Sequence, residues 1–383
     1  MSGSTYPISI MLAWTAVLAL GLVGGCPPQE GSQNSNGDSN AAAGSNTGAN
    51  TPPIGGMFVQ VPDPLSGDNP TYKLSAQNVP APGAAVVDVP FGTTQTRVAQ
   101  TPGLRHEYSR HDPFNRDQSL ILLLHVSDGE QRIYRTQSLP YDQADNLVRT
   151  ANLEEPRWDP NDVNLLWGTQ GFRILTLNVQ TGDTATIKDF AQDATIGPIV
   201  AANPDLYRIT MRDEGETSSD KRYWAFILQG SRDDYRPRYI FCWDRQTDQV
   251  LGLYTVSASQ ADIDWVGMSP LGTSVLIGGS HANTGDLAGL VMANCQLTTF
   301  HRLDFATAHA DVGLDSQGNE VIVMQNVRTD YVDLIPLSAD TKPILEAGGS
   351  YAGTNRVPLI RLYYVSDSPI ACHSGVHISY ETP

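Results

Sequence analysis

Acidic and histidine side chains recur at a fixed distance before a turn residue, and this spacing is the first chemical signal in the chain. With Asn115, Asp159, Ser218, Ser269 and Asp315 as the turn residues, His111, Glu155, Glu214, Trp265 and Asp311 stand four places earlier. Five places earlier stand Arg110, Glu154, Asp213, Asp264 and Ala310, and His377 joins the first set if a sixth repeat opens near the end. Oxygen-rich sets of this kind suit a hard divalent cation such as Mn²⁺ or Ca²⁺, or a cationic or sugar ligand. Two readings are open. In one, His111, Glu155, Glu214, Asp264, Asp311 and His377 surround a ligand or metal; in the other they are solvated strand ends, or pair with Arg110 and Arg157.

Other chemical motifs carry less. The two histidines of HEYSRH, His106 and His111, are five apart, which separates them on a helix or a strand and excludes a zincin-type site. Cys372, His373 and His377 could share a metal, and His309 beside Asp311 could act as a base. No GxSxG elbow, phosphate loop or dinucleotide fingerprint is present, so neither a serine hydrolase nor a nucleotide cofactor is expected. A net charge of −17 opposes nucleic-acid binding, which depends on Lys and Arg displacing counterions.

The elements that must position these residues are short strands. Each turn residue precedes an apolar run: SLILLL, LLW, WAFIL, VLIGG and VIVMQN. Successive turn residues lie 44, 59, 51 and 46 positions apart, the range of a four-stranded propeller blade. The segment from Glu155 to Phe190 shows one unit most clearly. Second strands follow as QRIYRTQSL, FRILTLNV, RYIFCWD, GLVMANC and YVDLIPL, with TIKDF, QVLGLYTV, LTTFHRLDF and KPILEA as outer strands. The third repeat carries an acidic insertion, RDEGETSSDK, before its apolar strand. The expectation is an all-β propeller of six or seven four-stranded blades, five of them readable, with the closing blade incomplete or shared between the ends. The strands AAVVDVP and TQTRVAQ, from Ala84 onward, are the candidates to close it.

Through RHEYSRHDPFNRDQSLILLL, EEPRWDPNDVNLLW and HADVGLDSQGNEVIV, the chain resembles the bacterial TolB-like and oligogalacturonate-lyase-like β-propellers. That resemblance implies either a periplasmic scaffold or a metal-dependent polysaccharide lyase, and it transfers no catalytic residue.

The N-terminal region predicts an address. Ile8 to Gly25 is an apolar run ending in Val23-Gly24-Gly25-Cys26, which resembles a lipobox, so 1–25 is expected to be a signal peptide and Cys26 the lipidated residue. The alternative is an uncleaved membrane anchor. Residues 26–56 are polar and small and predict a disordered tether, 57–83 an extended lead-in, and 84–383 one propeller domain, truncated or not at its C-terminus. Cys242, Cys295 and Cys372 allow at most one disulfide, and buried free thiols are the expected state. The expected function is a lipid-anchored, extracytoplasmic module that binds an envelope protein or glycan without turnover. The alternative is a metal-assisted lyase at the channel mouth.

Overall fold

The computed structural model describes residues 79–87, 94–108, 110–231, 234–326 and 328–361. Cys26, the signal, the tether, Cys372 and His377 lie outside them. The chain divides into two compact units, Met1–Ala76 with Val87–Thr94, and Gln77–Val86 with Gln95–Pro383. The second unit contains all five four-stranded sheets, the blades of a propeller ring.

A two-stranded sheet, β1 (Ala85–Val87) with β2 (Thr94–Thr96), comes first. Blade 1 is β3 (Leu104–Arg105), β4 (Leu120–His125), β5 (Glu130–Arg135) and β6 (Leu147–Ala151). Blade 2 is β7 (Glu154–Trp158), β8 (Leu165–Gln170), β9 (Arg173–Asn178) and β10 (Thr184–Asp189). After helix α1 (Ile196–Ala202), blade 3 is β11 (Arg208–Thr210), β12 (Tyr223–Gln229), β13 (Pro237–Asp244) and β14 (Gln249–Thr255). Blade 4 is β15 (Ile263–Met268), β16 (Val275–Gly279), β17 (Leu290–Ala293) and β18 (Phe300–Asp304). Blade 5 is β19 (Ala310–Leu314), β20 (Glu320–Asn326), β21 (Tyr331–Pro336) and β22 (Val357–Arg361). Each sheet runs antiparallel in chain order, so the five readable repeats are five blades.

The turn residues earn their places by local hydrogen bonding. Asn115 Oδ1 accepts from Leu120 N at 2.9 Å, Ser218 Oγ from Tyr223 N at 2.8 Å, and Ser269 Oγ from Ser274 N at 3.0 Å. Asp159 and Asp315 accept from amides two to four residues on, at 2.8 Å each. The strands that follow the turn residues are apolar throughout rather than alternating because both their faces are packed. Leu120 to Leu124, Trp224 to Leu228 and Val275 to Ile277 are all buried. Outer strands face water, and Thr184 to Ile187 of β10 is exposed throughout.

Apolar clusters lie between consecutive blades. Ile133 and Leu153 meet Leu166 and Val179 between blades 1 and 2, and Ile174 and Phe190 meet Trp224 and Phe241 between blades 2 and 3. Ile240 meets Val266 and Ile277 between blades 3 and 4, and Leu276 meets Ile322 between blades 4 and 5. On the other face of blade 1, Leu104, Ile121 and Leu123 are joined by Ala99 and Tyr141, not by blade 5.

Three expectations are corrected. Among the described residues, the strands from Ala84 pair with each other and with no strand of a blade. KPILEA is not the outer strand of blade 5. Pro343 cannot donate to a ladder, Lys342 O is taken by Arg356 Nε at 3.0 Å, and Ile344 is buried as a plug, so β22 fills the edge instead. Cys242 and Cys295 are not free. They form a disulfide with Cα atoms 5.5 Å apart, joining β13 of blade 3 to the turn after β17 of blade 4.

Candidate functional site

The inner strands of blades 1 and 3 each leave their sheet partway along. In blade 1, Arg105 pairs with Leu124, and the next bridge is Phe114 with Ile121, so residues 106–113 stand opposite Leu122 and Leu123 alone. In blade 3, Thr210 pairs with Ile227, and Ser218 N next bonds Tyr223 O, so 211–217 stand opposite Trp224 to Phe226. The surplus residues leave the plane of each blade as excursions. They meet at the centre of the ring. Tyr108 Oη donates to Glu214 Oε1 at 2.9 Å, and His111 Nε2 donates to the Asp213 carbonyl.

The blade 3 excursion is held on both sides. Glu155 of blade 2 accepts from Met211 N at 2.9 Å, Asp213 N at 3.1 Å and the Thr210 hydroxyl. Arg212 and Asp213 are left-handed, at φ 58° and 60°, a conformation unfavourable for residues bearing a Cβ and sustained here by these bonds. On the other side, Met268 N donates to Glu216 O at 2.7 Å. Gly215 lies so close to blade 4 that a Cβ there would sit 1.8 Å from Val266 O, so this contact requires glycine.

Arg157, buried, ties the hub together. It bonds Glu216 Oε1 at 2.9 Å, Asp213 O at 2.6 Å and Pro156 O at 2.9 Å. Burial alone would raise the Glu216 carboxyl, but Arg157, with His111 beside it, holds it well below the usual carboxylate range. His111 Nδ1 lies 2.9 Å from the same Glu216 oxygen. Burial, with Arg157 next, pushes the imidazole down to about 4. The contact with Glu216 favours the charged imidazolium, but burial and Arg157 outweigh it. Opposite, Arg110 Nε donates to Asp311 Oδ1 of blade 5 at 3.1 Å, and its guanidinium lies 5.2 Å over the Trp265 ring of blade 4.

Acidic groups predominate at the mouth, the end of the ring where the inner strands begin. Burial, then Asp213, raises Glu107 to about 7. Burial, then Glu214, raises Asp264 to about 6, and burial, then Glu155, raises Asp213. Asp213 and Asp264 nevertheless have exposed side chains, so they line a recess surrounded by protein but open to water. Arg208 is spent on Gln229 at 2.6 Å and Glu154 at 3.4 Å, and Arg212 on the carbonyls of Ile263 and Tyr235.

The structure therefore gathers His111, Glu155, Glu214, Asp264 and Asp311 around one hub. It also gives most of them work: Glu155 holds amides, Asp311 holds Arg110, and Glu214 holds Tyr108. Among the described residues, no three His, Cys, Asp or Glu side chains converge to hold a metal ion. The sequence reading named Arg157 only as a pairing partner, held Glu107 only within the discarded HEYSRH motif, and missed Glu216 and Tyr108. Arg157 and Glu216 stand two places before their turn residues, on the strand face shared with the fourth place, and that alternation was the available signal.

No protein-family model matches the chain, and no curated protein matches it. Similar solved structures include an oligogalacturonate lyase in complex with manganese, at 14% identity and a TM-score of 0.43, covering 66% of this chain and 69% of that one. An oligogalacturonate lyase from Vibrio parahaemolyticus is similar at 12% identity and a TM-score of 0.44, with the same coverage. TolB from Acinetobacter baumannii is similar at 15% identity and a TM-score of 0.31, over 54% of this chain and 45% of that one. Likeness this remote transfers no activity.

Proposed function

We propose that this chain is a lipid-anchored, extracytoplasmic β-propeller that binds a glycan or another envelope component at the mouth of its ring, without turnover. The observation that carries this reading is the use of the hub's charged groups as internal ties. Glu155, Glu216 and Asp311 are bonded to backbone amides, Arg157 and Arg110, so the groups a metal-assisted lyase would need for a cation and a base are engaged in holding the chain. What faces solvent is a shaped acidic recess suited to recognition. The Cys242–Cys295 disulfide supports the address, since such bonds persist in oxidising compartments.

The test is a glycan-binding screen of the full chain alongside Asp264→Ala, with an assay for unsaturated uronate product in Mn²⁺ or Ca²⁺. Binding that Asp264→Ala weakens, with no product, supports the reading. Metal-dependent product would replace it with the lyase. Separately, Cys26→Ala should release the protein from membranes, and continued membrane association would remove the lipid anchor from the proposal.

A further inference from the structure

Buried polar atoms without a protein partner concentrate in the hub. Among the described residues they include Nη1 and Nη2 of Arg110 and Oε2 of Glu214. The Arg110 side chain is 3% exposed and is fixed by Asp311 and the Trp265 ring, so its fork cannot swing out to water. Buried donors and acceptors are paired almost everywhere in folded proteins, and an orphaned guanidinium costs more than an orphaned neutral group. An unmatched donor fork and an unmatched carboxylate oxygen, both buried in the hub, call for a molecule with both an acceptor and a donor.

The surroundings decide its charge. Asp213 and Asp264 are open at the mouth, Glu107 and Glu154 are half-buried there, and the nearby Arg208 and Arg212 are already committed. An incoming carboxylate or phosphate meets this acidic rim and is repelled, whereas an ammonium is attracted. The acceptor for Arg110 must then be a neutral oxygen. A primary ammonium next to a hydroxyl has this chemistry, and two sources supply it, amino alcohols and amino sugars.

We propose that the hub mouth is an amino-sugar site, with the ammonium received by Asp213, Asp264 and Glu214 and a sugar hydroxyl received by the fork of Arg110. This rests on the glycan-binding reading above. The unmatched atoms are buried, so the surrounding chain must shift to admit the hydroxyl.

The experiment is calorimetric titration of the full chain with D-glucosamine, D-glucose, D-glucuronate and ethanolamine. Glucosamine should bind at least about tenfold tighter than glucose or ethanolamine, a difference of about 1.4 kcal/mol, and glucuronate should not bind. Glu214→Gln and Arg110→Gln should each weaken glucosamine by about tenfold or more. If Arg110→Gln does not fold, Asp264→Asn at the open rim supplies the same test. Glucose or ethanolamine binding as tightly as glucosamine would overturn the assignment, as would glucuronate binding or variants without effect. If glucosamine fails while another glycan binds, this site is wrong and the glycan reading stands; if no saccharide binds, this site and the glycan half of the proposed function both fall.

Discussion

Tyr108 and Glu214, 106 positions apart in the sequence, share a hydrogen bond of 2.9 Å at the centre of the ring. One belongs to blade 1 and the other to blade 3, which are not consecutive, so the bond reaches past blade 2. Tyr108→Phe keeps the ring and deletes the donor, leaving both Glu214 oxygens unmatched. A loss of about 1.5–3 kcal/mol is expected in urea unfolding, with faster amide exchange across 106–113. Unchanged exchange would mean that the excursion is held by other contacts.

Arg157 is the larger tie. Arg157→Ala removes the guanidinium partner of Glu216 and the bonds to three carbonyls in the hub and should cost about 3–5 kcal/mol. Arg157→Met combined with Glu216→Leu removes both charges and should be less damaging than either single change. A double-mutant cycle checks this, and strictly additive effects would deny the coupling.

The Cys242–Cys295 bond closes a loop with a sequence separation of 53, which by chain entropy corresponds to about 4 kcal/mol. Reduction, or Cys242→Ser with Cys295→Ser, should lower the thermal midpoint by that amount of stability without dispersing the blades, whose cores are apolar. A midpoint unaffected by reductant would show that the bond does not form.

The acidic mouth makes stability depend on pH. Burial lifts the Glu107 carboxyl from its ordinary 4.5 to about 7. Below 4.5 the folded and unfolded chains both hold this proton. Between 4.5 and 7 the unfolded chain releases it first, so folding stability falls, and above 7 the full penalty applies, on the order of 3 kcal/mol. Asp264, raised to about 6, adds a loss in the same direction. Glu216, with its lowered pKa, works oppositely, contributing stability above 4.5 that disappears as the pH falls through its depressed folded value. Glu107→Gln should therefore stabilise the protein above pH 7 and change little below 4.5, as followed by thermal midpoints. Equal effects at both ends would refute the burial of this carboxyl.

The blades were legible because their signals are local. Asn115, Ser218 and Ser269 cap the turn that follows them, and the apolar runs record burial on both faces, so a spacing rule found all five repeats. The fourth and fifth places before each turn led to the hub for the same reason. What joins at the hub was not legible. Tyr108 with Glu214, Arg110 with Asp311 and Cys242 with Cys295 each connect different blades, and nothing near either partner in sequence specifies the other. The long second spacing and the acidic insertion of the third repeat marked an excursion but gave no destination. HEYSRH lacks the zincin spacing, yet its Tyr108, Arg110 and His111 are the residues by which blade 1 enters the hub.

Among the described residues, blades 1 and 5 exchange no strand and share no apolar cluster, so the ring has a seam there. A linear array with such a seam would fray from its ends, each terminal repeat opening on its own. The excursions act instead as spokes. Opening the seam pulls Arg110 from Asp311, and freeing blade 1 also breaks Tyr108 from Glu214 and His111 from Asp213, so the first blade cannot loosen without disturbing the third and the fifth. A rim left unwelded is made to unfold as one body by its axle.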